Sequence, residues 1–240
     1  MTNNKFESIY EMLRHQIQKG VYARGDHLPS ENQLVTMYNA SRETIRKSLN
    51  LLVREGMIQK IRGKGSVVIY GGMTEFHITK LSSFKEVQKE MDVQYETKVV
   101  SLKCIEAREV PKVQAALELS GSDKLWYLLR YRKFHGEVKI MDEDYLVYDL
   151  MPGLTETIAA QSIYGYIEDD LNHEISFSQK EITFEVFGEQ EYEAFGNVTP
   201  NYSATVRGIV HLSDTTKFQY NISKHLATEF KFTDFSRRRR

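Results

Sequence analysis

Residues 41–65 read SRETIRKSLNLLVREGMIQKIRGKG, and this stretch limits the possible folds more than any other. Ser41 is a good N-cap residue, since its hydroxyl can accept from a free N–H of the first turn. Ile45, Leu49, Leu52 and Val53 recur at helical spacing, which predicts one buried side. Glu43, Lys47, Asn50 and Arg54 fill the opposite side. Arg42 and Arg46 lie one turn apart on the flank of the helix start, with Thr44 between them. Gly56 suits the C′ position that ends such a helix. Residues 57–61 and 66–70 then read as two short strands joined by Arg62-Gly63-Lys64-Gly65. The glycines permit positive φ in the turn, and two cations sit at its tip.

The upstream residues add a second helix. Ser30 and Gln33 form a capping-box pattern ahead of a helix over residues 31–38, with Leu34, Val35 and Met37 as its apolar positions. Asn39-Ala40-Ser41 is a three-residue turn into the next helix, so the order is helix, short turn, helix, basic hairpin. Residues 5–19 form a further helix, with Phe6, Ile9, Tyr10, Leu13 and Ile17 on one side and Gly20 after its end. Arginine at the start of such a helix presents a planar fork that matches guanine O6 and N7, or a phosphate. A surface helix with ordinary solvated charges is the plain alternative for residues 41–55 taken alone.

The pattern LPSE–x₉–SRETIRKSL–x₆–G–x₄–IRGKGSVV resembles the winged helix of the GntR regulators, in particular their HutC branch. The residues from QKIRGKGSVV onward are most similar to the members that govern trehalose operons. The resemblance spans residues 5–70. It implies a winged helix-turn-helix bound to palindromic double-stranded DNA, with Ser30, Asn32, Ser41, Arg42, Thr44, Arg46, Arg62, Gly63 and Lys64 at the interface. Many relatives carry Arg where this chain has Asn32. Asn pairs with adenine, so a different operator is expected.

Composition separates the two halves of the 240-residue chain. Residues 1–70 hold 11 Lys and Arg against 6 Asp and Glu, a balance of +5; the remainder, with 21 against 27, stands at −6. An anionic macromolecule is therefore expected to meet the first part only. The lone Cys104 has no partner for an internal disulfide, and a buried structural thiol is expected. No apolar run reaches the ~18 residues that span a bilayer. The N-terminal MTNNKFESIYEML lacks the apolar run of a signal peptide, so a cytoplasmic location without membrane contact is expected. Arg237 to Arg240 read as a solvated tail.

Gly71-Gly72 marks a joint, and residues 71–80 read as a linker between a head of residues 1–70 and a second domain of residues 81–240. Beyond it the pattern is mixed. Ser83 and Glu86 make a capping box for a helix to residue 91. Residues 95–110 read as a long strand, and Pro111 opens a helix to residue 119. Residues 125–134 and 138–147 form a hairpin about His135-Gly136. A helix over 163–171 starts after Ser162; a strand over 174–187, a helix over 189–195 and a hairpin of 205–212 with 218–225 complete the chain. This is an α+β pattern built on antiparallel strands. The same order of elements is implied by the resemblance, whose effector and dimerisation domain is the UTRA domain, of chorismate-lyase-like fold.

Arg130 and Arg132 stand at i and i+2 on one strand, so they share the face of Trp126 and Leu128, which is apolar and points inward. Two inward arginines need anionic partners. An internal carboxylate and a bound phosphate both satisfy that need. Ser162 and Tyr164 lie at a helix start, where free N–H groups favour an anion, although Ser162 serves equally as a plain cap. The resemblance implies phosphate, held by Arg130, Arg132, Ser162, Tyr164 and the Ser83-Phe84-Lys85 loop. It also implies a sugar end held by Asp142, Gln219 and His225, with Asp144 on the same face as Asp142 and Ile222 on the pocket wall.

The function expected is an effector-gated homodimeric repressor, with a sugar phosphate, trehalose 6-phosphate first, as the releasing ligand. An amino sugar phosphate or a non-phosphorylated acid is the alternative ligand, and Gln219 in place of a carboxylate weakens the amino-sugar case. An enzyme is disfavoured. His173-Glu174 lacks a second histidine at metal-binding spacing, Gly63-x-Gly65 opens no helix, and neither a catalytic site nor a metal or cofactor is expected.

Overall fold

In the computed structural model, residues 5–70, 84–91 and 95–232 are described. Gly71-Gly72, the expected linker, Ser83 and the Arg237 to Arg240 tail lie outside them. The chain divides into two compact units, Met1–Glu75 with Thr233–Arg240 and Phe76–Phe232.

The first unit is built from α1 (Lys5–Gln18), α2 (Glu31–Tyr38), α3 (Arg42–Arg54), β1 (Ile58–Ile61) and β2 (Gly65–Val68). Its core takes one side from each helix: Ile9, Leu13 and Ile17 from α1, Leu34 from α2, and Ile45, Leu49 and Leu52 from α3. Both caps of the recognition motif form. Ser30 Oγ accepts from the Gln33 N–H, and Gln33 Oε1 accepts from the Ser30 N–H at 2.8 Å. Ser41 Oγ accepts from the Thr44 N–H at 3.1 Å. Met37 departs from its expected place and is exposed, because Leu34 and Val35 already fill that side of a two-turn helix. Ser48 is fully buried within α3 and donates to the Phe6 carbonyl at 2.7 Å, which ties α3 to α1.

The second unit is a six-stranded antiparallel sheet in the order β3-β4-β5-β8-β7-β6. The strands are β3 (Glu96–Glu106), β4 (Lys124–Phe134), β5 (Glu137–Val147), β6 (Ile175–Val186), β7 (Tyr202–Leu212) and β8 (Lys217–Leu226). Helices α4 (Phe84–Met91), α5 (Pro111–Leu117), α6 (Glu156–Gln161), α7 (Ile163–Gly165) and α8 (Glu189–Phe195) lie in the connections. The β4–β5 turn falls at His135-Gly136, both at positive φ (50° and 84°) as a two-residue hairpin requires.

Three local expectations change. Strand β3 stops at Glu106, since Ala107 and Arg108 donate their N–H groups to Asp123 and Gly121 and fold into a 3₁₀ turn. Helix α6 was not legible, and it precedes the expected helix at 163–171, which itself continues beyond α7 as a wider π turn over Tyr166–Asp170. Cys104 is exposed rather than buried, because β3 is an edge strand.

Candidate functional site

Strand register gathers the expected effector residues onto one face of the sheet. Thr97, Arg132, Ile140 and His225 form one row across β3, β4, β5 and β8; Val99, Arg130, Asp142 and Ser223 form the next. Leu128, Asp144 and Asn221 follow, then Trp126, Leu146 and Gln219. The face is covered: Arg130 and Arg132 are buried, and so are Asp142, Asp144 and Gln219. Ile222 is on the opposite face. It packs against the cluster of Val113, Leu117 and Tyr145, because it differs in parity from Gln219 and His225. It therefore forms no part of this wall.

Both arginines are met by carboxylates of the neighbouring strand. Arg130 Nη2 donates to Asp144 Oδ2 at 2.6 Å and Nη1 to the Ala159 carbonyl of α6 at 3.0 Å. Arg132 Nε donates to Asp142 Oδ2 at 2.8 Å and Nη1 to Thr97 Oγ1 at 2.7 Å. Asp144 is fully buried and also accepts from Gln219 Nε2 and Asn221 Nδ2 at 2.7 and 2.8 Å. Asp142 accepts from Ser223 Oγ at 2.6 Å, and Ser223 in turn lies 3.2 Å from His225 Nε2. Two buried polar atoms on this face, Arg130 Nε and Gln219 Oε1, find no hydrogen-bond partner among the described residues.

The electrostatics follow from burial and pairing. Desolvation and the neighbouring Arg130 charge pull the Arg132 guanidinium down to about 10. Burial raises the Asp142 carboxyl, but the two guanidiniums and the Ser223 hydroxyl outweigh it and hold it below its usual range. Burial drives His225 down to about 4 against the opposing pull of Asp142, so its ring is neutral near pH 7. Burial, then the Asp144 charge, raises the Tyr164 hydroxyl.

Two helix starts border this face. The Phe84 ring, at the start of α4, lies 4.2 Å beneath the Arg132 guanidinium carbon, and Lys85 beside it is exposed. At the start of α7, Ser162 Oγ accepts from the Gly165 N–H at 3.0 Å, and Tyr164 packs edge-on against Phe218. Thr97, Ser223 and Asn221, which pin the charged pairs, were missed in the sequence. Parity with Gln219 and His225 on the same strand was the signal that could have found the latter two.

The first unit presents the other set. Asn32, Ser41, Arg42 and Arg46 are exposed, as are Arg62, Gly63 and Lys64 at the hairpin tip. Gly63 and Gly65 take φ of 77° and 87°, the conformation for which the turn needs glycine. Thr44 is half-buried, with its hydroxyl 2.8 Å from that of Ser41.

Comparison with known proteins bears on both units. Residues 5–68 match the model of bacterial regulatory proteins of the gntR family, and residues 90–231 match the UTRA domain. The HTH-type transcriptional regulator TreR of Bacillus subtilis (strain 168) is 39% identical over 238 residues, covering 99% of each chain. The mannosyl-D-glycerate transport/metabolism system repressor MngR of Escherichia coli (strain K12) is 27% identical, covering 98% of this chain and 96% of its own. Among solved structures, the possible regulator YydK of B. subtilis shares the fold with a TM-score of 0.82 at 24% identity, over 97% of this chain and 99% of its own. The effector binding domain of the B. subtilis trehalose repressor aligns with a TM-score of 0.55 at 35% identity, over 60% of this chain and 99% of that domain. The chain therefore belongs to the GntR family of bacterial regulatory proteins, as a DNA-binding transcriptional regulator of the HutC type that carries a UTRA domain and is not an enzyme.

Proposed function

We propose that this regulator is a cytoplasmic homodimeric repressor of a trehalose-utilisation operon, released from its operator by trehalose 6-phosphate. The observation that carries the reading is the paired arginines on the inner sheet face, with Phe84 of α4 stacked on Arg132. The likeness to a trehalose repressor's effector domain supports it. Residues 1–70 are the DNA head, 71–80 the joint and 81–240 the effector and dimerisation domain. Ser30, Asn32, Ser41, Arg42, Thr44, Arg46, Arg62, Gly63 and Lys64 meet DNA. The phosphate is taken by Arg130, Arg132, Ser162, Tyr164 and the Ser83-Phe84-Lys85 stretch, and the sugars by Asp142, Gln219 and His225. Asp144 holds Arg130 and Gln219 in place for that ligand.

The mechanism is a shift between two states. One holds the heads of a dimer at half-site spacing, about 34–36 Å apart. The other binds effector better, and that difference in affinity sets how far release proceeds. A gel-shift titration at fixed salt tests it. Trehalose 6-phosphate should free the operator, glucose 6-phosphate should act more weakly, and Arg42→Ala should weaken operator binding while sparing effector binding. Operator binding untouched by millimolar sugar phosphates would sink the proposal.

One observation favours a second reading. Asp144 and Asp142 already balance the two arginine charges. A site with that balance suits an uncharged sugar as well, and trehalose itself is the probe that separates the two.

A further inference from the structure

Glu31, the first residue of α2, lies between cations supplied by two other elements of the head, α3 and β1. Its Oε2 is 3.4 Å from Arg46 Nε on α3, and its Oε1 is 3.7 Å from Lys60 Nζ on β1. Lys60 Nζ also donates to Asn50 Oδ1 at 3.0 Å, so the hairpin strand is tied to α3 by the same ammonium. The side chains of Arg46, Glu31 and Lys60 are 68%, 38% and 35% exposed. Exposed pairs of this kind contribute little to stability, so holding the fold together is a weak account of them.

Position supplies a better one. Glu31 follows the N-cap Ser30 and precedes Asn32, at the helix start whose dipole favours a negative group. In helix-turn-helix docking the start of the recognition helix enters the major groove while the preceding helix crosses the phosphate backbone. A carboxylate here stands among the very residues read as meeting DNA. It repels phosphate, and it already occupies two of the cations that phosphate would need.

We infer that Glu31 is an internal stand-in for a DNA phosphate, which holds Arg46 and Lys60 in the free protein and so suppresses sequence-independent binding. The inference rests on the DNA-binding reading of this face. A non-cognate complex is held almost wholly by phosphate contacts. It must break both ion pairs with no base contacts to compensate. An operator complex turns Arg46 to a base edge instead, where it keeps its Glu31 partner, and gives up only the Lys60 pair. The carboxylate thus takes more from the wrong complex than from the right one, and discrimination rises.

The test uses the full chain and two duplexes of equal length, an operator selected by the wild type from random DNA and a scrambled version. Glu31→Gln should tighten the scrambled duplex about fivefold at low salt and the operator less than about twofold. It should also steepen the salt dependence of scrambled binding by about one counterion. Glu43→Gln removes the same charge from a pair with Lys47 along α3 alone, and should leave the ratio unchanged. In a Lys60→Met background the effect of Glu31→Gln should shrink. Equal tightening of both duplexes, or an equal effect from Glu43→Gln, would overturn the inference in favour of bulk charge. Weaker binding of both duplexes at an unchanged melting temperature would overturn it in favour of a supporting role. A wild type that selects no duplex would sink the DNA-binding reading itself, and this inference with it.

Discussion

Asp144 shows why the inner face of the sheet is both a candidate site and a stability hazard. It is fully buried and accepts from Arg130, Gln219 and Asn221. Removing Arg130 strands that carboxylate, and breaking a buried pair on one side costs on the order of 3–5 kcal/mol. Arg130→Ala is therefore expected to unfold the domain in chemical denaturation before it reports on effector binding, and Tyr164→Phe is the milder probe. His225 gives a pH signature. Its folded pKa, about 4, lies below the ordinary histidine value of 6.5. The unfolded chain therefore binds a proton that the folded chain refuses, and stability drops as pH falls from 6.5 towards 4. Above 6.5 the ring is neutral in both states and contributes no slope. The drop should approach ~1.4 kcal/mol per pH unit at its steepest and be absent in His225→Phe. Urea titrations at pH 7 and pH 5 measure it; equal differences in both proteins would place the proton elsewhere.

Among the elements, those fixed by neighbours in sequence were the legible ones. The Ser30–Gln33 box, the Ser41 cap and the positive-φ glycines of the hairpin act over a few residues, and the head follows from them. Helix α8 and the turn at His135-Gly136 belong to the same class. What distant residues decide was not legible. The 3₁₀ turn after β3 is fixed by carbonyls of Gly121 and Asp123, and the strand order by pairings between β5 and β8. Helix α6 is only six residues long, too short for apolar periodicity to declare itself. The site was half legible. Parity put Arg130 with Arg132 and Asp142 with Asp144, and the family resemblance brought the two pairs to one pocket, but which carboxylate pairs with which arginine depends on the β4–β5 register, and Ile222 fell on the wrong side. The cap itself is testable. Ser41→Ala removes an acceptor for the Thr44 N–H and should cost about 1 kcal/mol of head stability. It should weaken operator binding through the fraying of the α3 start, and Ser41→Asp should restore the stability seen by thermal melting.

At the scale of the whole molecule, the charge separation and the two cores make the same point. The head's balance of +5 and the remainder's −6 mean that a long-range field attracts DNA to one part and repels it from the other. The core of Leu13, Leu34 and Leu49 in the first unit and that of Leu128, Ile163 and Phe218 in the second are separate clusters. Each unit thus has its own cooperative core, and calorimetry of the full chain should resolve two unfolding transitions. A ligand that binds one folded unit raises the stability of that unit by about 2.7 kcal/mol at ~100 times its dissociation constant. In a domain of roughly 150 residues that is a shift of about 5–10 °C. Trehalose 6-phosphate should move one transition and operator DNA the other. The transition moved by the sugar phosphate should be the one that persists when residues 81–240 are produced alone. Both ligands moving a single joint transition would mean that the two cores melt as one, and the division of labour between head and effector domain would have to be replaced by a single shared equilibrium.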